Sequence, residues 1–132
     1  MIMVIDTSAI VAVLTSEPQR AALIRVTDGV DLIAPGSVHW EIGNALSSLL
    51  KRRRATLADV QHCLSAYEAI PLRLVEVDLA MALDFAAEHG MYAYDAYLVI
   101  CALSQRAPLL TLDKALARVA ASAGVEVVEV SE

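Results

Sequence analysis

Four acids are placed where they could do chemistry together. Asp6 closes the apolar run "MIMVI" and is followed by Thr7 and Ser8, and Asp113 comes two residues after the run "PLLT". Asp95 opens the strongly apolar "DAYLVICAL", and Glu41 lies inside "SVHWEIGNALSSLLKR". Any one of the three Asp residues could simply cap the helix that follows it, because an Asp oxygen readily accepts the free N–H groups of a first helical turn. Glu41 has no such explanation. It shares a helical line with Val38, Ala45 and Leu49 at the margin of an apolar stripe, and Lys51 and Arg54 lie roughly two to three turns away, off that line. Asn44, three residues on, shares its face and could orient the carboxylate or a bound water.

Four carboxylates brought to one place repel one another unless something positive sits among them. Donors that are all oxygen suit a hard cation, Mg²⁺ or Mn²⁺, which usually acts on phosphate groups. The hydroxyls of Thr7, Ser8 and Thr111 stand beside the acids, suited to supporting hydrogen bonds or a water contact. Such a metal site lowers the pKa of a bound water and neutralises charge on a phosphodiester oxygen, so hydrolysis needs no nucleophilic side chain. Consistent with this, the chain has no GxSxG, P-loop or HExxH pattern. His39 precedes Glu41 by two residues, about 200° around the helix, and so faces away from it. Trp40 is expected to pack, His62 and His89 to lie at the surface or at helix ends.

The elements that must position these acids alternate. Short β-rich runs at 2–5, 31–34, 73–77, 108–111 and 125–130 are separated by helical patterns at about 8–14, 18–28, 36–52, 57–69, 78–89, 94–106 and 113–122. Gly29, Gly90 and Gly124 fall at helix ends. Strand–helix alternation predicts an α/β fold with a central, mostly parallel sheet of about five strands between helical layers. Ligands of such sheets bind at the carboxyl ends of the strands, where Asp6 and Asp113 are expected.

At 132 residues the chain is read as a single domain, 1–132. It is 58% hydrophobic but only 5% aromatic, so the apolar excess is aliphatic, as a buried sheet under helices requires. No apolar run is long enough to span a membrane and no basic stretch precedes Asp6, while Cys63 and Cys101 are unclustered and read as core filler, so a cytoplasmic protein is expected. The net charge of −6 argues against a general electrostatic hold on nucleic acid. The one dense basic stretch, Lys51, Arg52, Arg53 and Arg54, is either a solvated helix C-terminus that complements the dipole or a local contact.

Taken in order, "VIDTSAIVAVL", "HWEIGNAL", "YDAYLVICAL" and "LLTLDKAL" resemble the PIN-domain ribonucleases, and among them the VapC toxins of bacterial toxin–antitoxin pairs, over nearly the whole chain. The resemblance implies a three-layer α/β/α sandwich and a Mg²⁺- or Mn²⁺-dependent endoribonuclease. Asp6, Glu41, Asp95 and Asp113 take the places of the four family acids, catalytic and metal-binding, and Thr7 that of the small hydroxyl residue. It further implies a homodimer held inactive by a cognate VapB-type antitoxin, expected to dock on the helix pair at 40–69, with Lys51–Arg54 as an RNA or antitoxin contact. One departure is that "DKALA" follows without the further acid that many relatives carry.

Three other readings compete. Aspartyl-phosphate phosphatases place a second Asp two positions after the first, where this chain has Ser8, and a phosphate-accepting receiver needs paired acids that "IDTS" does not offer. A non-catalytic α/β interaction module would use the acids as caps and the apolar helices as a docking surface.

Overall fold

The computed structural model describes residues 1–130. Five strands, β1 (Ile2–Ile5), β2 (Asp31–Pro35), β3 (Arg73–Val75), β4 (Leu109–Leu110) and β5 (Val127–Val128), form one sheet in the order β3-β2-β1-β4-β5, every neighbouring pair parallel. Seven helices connect them: α1 (Thr7–Leu14), α2 (Arg20–Thr27), α3 (Ser37–Lys51), α4 (Leu57–Glu68), α5 (Leu79–His89), α6 (Ala93–Gln105) and α7 (Lys114–Ser122). Helices α1 to α4 pack among themselves and α5 packs on α6. Right-handed crossovers put these two sets on opposite faces of the sheet, giving the expected α/β/α sandwich.

The strand order creates the crevice that matters. From β1 the chain builds outward through β2 to β3, then crosses back to lay β4 on the other side of β1. The direction of winding therefore reverses between β1 and β4, where loops diverge and leave an opening at the carboxyl ends. Val4 pairs with Ile33 on one side and Leu109 on the other, and all three are fully buried. Helix α6 covers this centre through contacts with β1, β2 and β4, burying Ala96, Leu98, Val99, Ile100, Cys101 and Ala102. Burial pushes the Cys101 thiol up to about 11, so it is an inert part of the core.

The helices start and stop near the predicted positions for identifiable reasons. Gly29, Gly90 and Gly124 all have positive φ, and Gly90 is the left-handed residue that ends α5. The outer strands are shorter than their apolar runs suggest: β3 stops at Val75, and β5 occupies only Val127–Val128. Each is an edge strand with a ladder on one side only, so side-chain pattern outlasts pairing. Trp40 does not pack as expected. Two residues from the buried Ile42, it is turned about 160° from the core-facing line and is 77% exposed, edge-on to His39.

Replacing Ile33, at the sheet's centre, by Ala should cost about 2–5 kcal/mol in urea unfolding. The same change at the edge residue Leu74, which is exposed, should cost well under half as much.

Candidate active site

Asp6 is 4% exposed, a buried carboxylate at the end of the central strand. Its Oδ1 accepts from Ser8 Oγ at 2.7 Å and from Ala9 N at 3.2 Å, and its Oδ2 accepts from Thr111 Oγ1 at 2.6 Å. Thr111 is itself buried and also accepts from Asp113 N at 3.0 Å, while Ser8 Oγ accepts from Leu112 N at 3.0 Å. These bonds lace the start of α1 to the end of β4 across the crevice. Burial nonetheless raises the Asp6 pKa, against the opposing pull of the Thr111, Ser8 and Ala9 hydrogen bonds, and the nearby charge of Asp113 adds to the rise.

Glu41 projects from the second turn of α3, a helix in contact with α1. Its Oε1 is buried and has no hydrogen-bond partner among the described residues, and the same holds for Thr7 Oγ1. Burial raises the Glu41 pKa; Thr7 stands near enough to offset part of this without completing a hydrogen bond, and Asp6 and Asp95 push it further up. Asp95 is half-buried in the first turn of α6. It is not the helix cap, a position held by Tyr92, and its pKa is raised by burial and then by Asp113. Asp113 does cap α7, its Oδ1 accepting from Ala115 N at 3.0 Å and Leu116 N at 3.1 Å. The capping explanation thus accounts for part of what Asp6 and Asp113 do and for nothing that Asp95 or Glu41 does.

The four acids therefore share the carboxyl edge of the sheet and feel one another's charge. They are not drawn into one tight cluster: among the described residues no three His, Cys, Asp or Glu side chains are gathered closely enough to hold an ion as they stand. The donor set still fits a hard cation. It is all oxygen, it includes a buried carboxylate oxygen with nothing to bond, and a Mg²⁺-like ion commonly takes only one or two carboxylates and completes its shell with water.

The remaining residues separate clearly. Asn44 is exposed on α3, one turn from Glu41, and its side chain makes no hydrogen bond among the described residues. His39 bonds Tyr67 through Nδ1 at 3.0 Å, on the far side of α3 from Glu41. Lys51 closes α3 and Arg52 to Arg54 follow it, about 15 Å or more of helix rise from Glu41. Sequence reasoning passes over Lys114 and Arg118, the cations on the helix capped by Asp113; their four-residue spacing in "DKALAR" is the signal that shows them.

A family model described as the PIN domain matches residues 3–122. The chain belongs to the PIN-domain family. Solved structures share the fold. VapBC2 of Rickettsia felis, bound to a DNA fragment from its promoter, superposes with a TM-score of 0.68 at 14% identity, covering 99% of this chain and 100% of that one. FitAcB of Neisseria gonorrhoeae gives 0.68 at 18% identity, with 96% of each chain covered. VapC20 of Mycobacterium tuberculosis, a Sarcin-Ricin loop cleaving toxin, gives 0.66 at 13% identity over 96% of this chain and 98% of that one. At these identities the likeness is one of fold. No functionally curated protein matches the chain in sequence. Within this PIN domain no described helix is long and apolar enough to cross a membrane.

Two outcomes follow from the geometry. Thr111→Val removes the shortest bond to a buried carboxylate and should cost about 1.5–3 kcal/mol, measured by urea unfolding, while moving the Asp6 pKa still higher. The pKa values of Asp6, Glu41 and Asp95 are all raised on folding, so in the metal-free PIN domain the contribution of these three acids to stability is fully present below the ordinary carboxylate range and is lost as pH rises through the raised values, a loss that Asp6→Asn should diminish in urea unfolding measured across pH. A divalent ion needs the ionised carboxylates, so the melting-temperature gain from Mn²⁺ should be small at acidic pH and larger at neutral pH, where about 2.7 kcal/mol is expected at a hundredfold excess over Kd.

Proposed function

We propose that this PIN domain is a metal-dependent endoribonuclease toxin of the VapC type, hydrolysing RNA phosphodiester bonds under the control of a VapB-type antitoxin. The observation that carries the reading is Glu41 Oε1, a buried carboxylate oxygen left without a partner beside Asp6 at the sheet's switch point. A structural acid would find a cation or an N–H; this one is held open by the packing of α3.

Mg²⁺ or Mn²⁺, when bound, supplies positive charge for a phosphodiester oxygen and an activated water. Asp6, Glu41, Asp95 and Asp113 are the residues proposed to hold it. Asp6 is fixed in place by Thr111, Ser8 and the α1 backbone, so its oxygens keep one orientation. Thr7 is positioned to donate to Glu41 or to a water beside it. Asp95, rooted in the buried α6, brings the third carboxylate to the edge, and Asp113, exposed and already holding the α7 N–H groups, offers its second oxygen outward.

The antitoxin is assigned to the outer surface of α3 and α4, where Trp40, Leu57 and Leu64 are exposed beside the basic Lys51–Arg54 end. Leu79 and Leu83, exposed one turn apart on α5, with Tyr92 before α6, form an apolar surface suited to a second copy of the chain. VapC20, which shares the fold, is a Sarcin-Ricin loop cleaving toxin, in keeping with this reading.

Purified protein incubated with RNA and Mn²⁺ tests the catalytic core of this reading. Asp6→Asn and Glu41→Gln should each lower the cleavage rate by roughly two orders of magnitude or more while both proteins remain folded by circular dichroism. Equal cleavage by parent and variants would mean that the acids are structural, and a parent that cleaves no RNA would make the domain an interaction module.

A further inference from the structure

RNA must be drawn to a chain of net charge −6, at an edge already occupied by four acids. Topology decides which of the ten Lys and Arg residues can help. In a parallel sheet with helical crossovers, each strand begins, and the helix that leads into it ends, at the edge opposite the site. Arg25 lies in the last turn of α2, Arg73 opens β3 and Arg106 terminates α6, so these three belong to that far edge, while Lys51 to Arg54 close and follow α3, about 15 Å of helix rise from Glu41. The remaining three are Arg20, Lys114 and Arg118. Arg20 donates its Nε to Val13 O at 3.2 Å.

Among the described residues Lys114 and Arg118 have no such tie, and their position is specific. Lys114 follows Asp113 directly as the first residue of α7, and Arg118 comes one turn later on the same side of the helix. Both are exposed, and both line a cavity of about 430 Å³ that opens beside Thr111 and Asp113, with Gln19 and the β5 end around it. Asp113 and Glu129 are the acids in its wall, the first of them part of the cleavage site itself. The cavity is therefore continuous with the site and carries the cations closest in sequence and fold to it.

We propose that this cleft holds the RNA backbone next to the scissile bond, with Lys114 and Arg118 binding the neighbouring phosphates and so fixing the direction in which the strand leaves the acids. The inference rests on the nuclease reading above. The two side chains are positioning residues: flexible cations on a helix surface that neutralise phosphate charge and release counterions, with no part in the bond-breaking step.

Steady-state cleavage of a single-stranded RNA by the full chain with Mn²⁺, at several KCl concentrations, tests it. The Lys114→Gln/Arg118→Gln variant should raise KM roughly tenfold with kcat within about twofold, and should flatten the dependence of log(kcat/KM) on log[KCl] by about 1.4, two contacts at about 0.7 each for single strands. Arg118→Lys combined with native Lys114 should keep the parent's slope, and Arg25→Gln/Arg73→Gln, at the far edge, should leave both KM and slope unchanged. An unchanged KM and slope in the first variant overturns the proposal, as does a fall in kcat at constant KM, or a flattened slope that appears only in the Arg25/Arg73 variant. A parent chain that cleaves no RNA removes the nuclease reading itself, whereas a cleaving parent matched by the double variant removes only the α7 track.

Discussion

The rest of the structure depends on one buried carboxylate. Asp6 ends the central strand at the place where the sheet changes its direction of winding, and it is buried there with three donors around it. Removing a charge from water costs several kcal/mol, and hydrogen bonds to a charged group return about 1.5–3 kcal/mol each. The balance leaves the Asp6 pKa raised, so the bonds from Ser8, Ala9 N and Thr111 do not fully offset burial. Those same bonds join α1 to the end of β4, and β4 has only two residues in its ladder. Closing the sheet and building the site are thus a single event in this fold.

Glu41 and Asp95 carry the cost differently. Each stands on a helix whose apolar residues anchor it elsewhere: Val38, Ile42 and Leu46 on α3, and Ala96 with Leu98 to Ala102 on α6. The helices cannot rotate to give these acids to solvent without exposing that core. Carboxylates with raised pKa values, mutually repelling at one sheet edge, are a local destabilisation that the packing tolerates, a pattern common where a site is preorganised for a ligand's charge. The cations are sorted differently: Arg25, Arg73 and Arg106 lie at the far edge, Lys51–Arg54 at and beyond the end of α3, and Lys114 and Arg118 on α7 directly after Asp113.

The elements were legible because aliphatic runs and helical stripes have different periods, and the chain keeps them apart with single glycines at left-handed helix ends. That Asp6 and Asp113 end strands at the carboxyl edge followed from strand–helix alternation alone, whereas the reversal of winding between β1 and β4 depends on a strand order that alternation does not give. Other features were not legible. Whether Asp95 caps its helix depends on where α6 begins, a matter of two residues, and the answer is that Tyr92 holds that place. The bond from Thr111 to Asp6 joins residues at opposite ends of the chain, and periodicity carries no information about such contacts. Trp40 reads as a packing residue from its chemistry, yet its angular position relative to Ile42 turns it outward. Asn44 sits three residues from Glu41 on a helix wheel, but the wheel does not show that the carboxylate turns inward and the amide outward. How closely the four acids approach was also beyond the pattern, since it depends on helix placement at the scale of a single side chain.

The central claim is that Asp6, Glu41, Asp95 and Asp113 form one cation site completed by water. Crystals grown with Mn²⁺ and measured at the manganese absorption edge test this most directly. The account predicts an anomalous peak at the carboxyl edge between β1 and β4, with oxygens of these acids and of waters about 2.1–2.3 Å from it. A peak on other residues, or none at that edge in crystals whose Asp6 and Glu41 are well ordered, would contradict it.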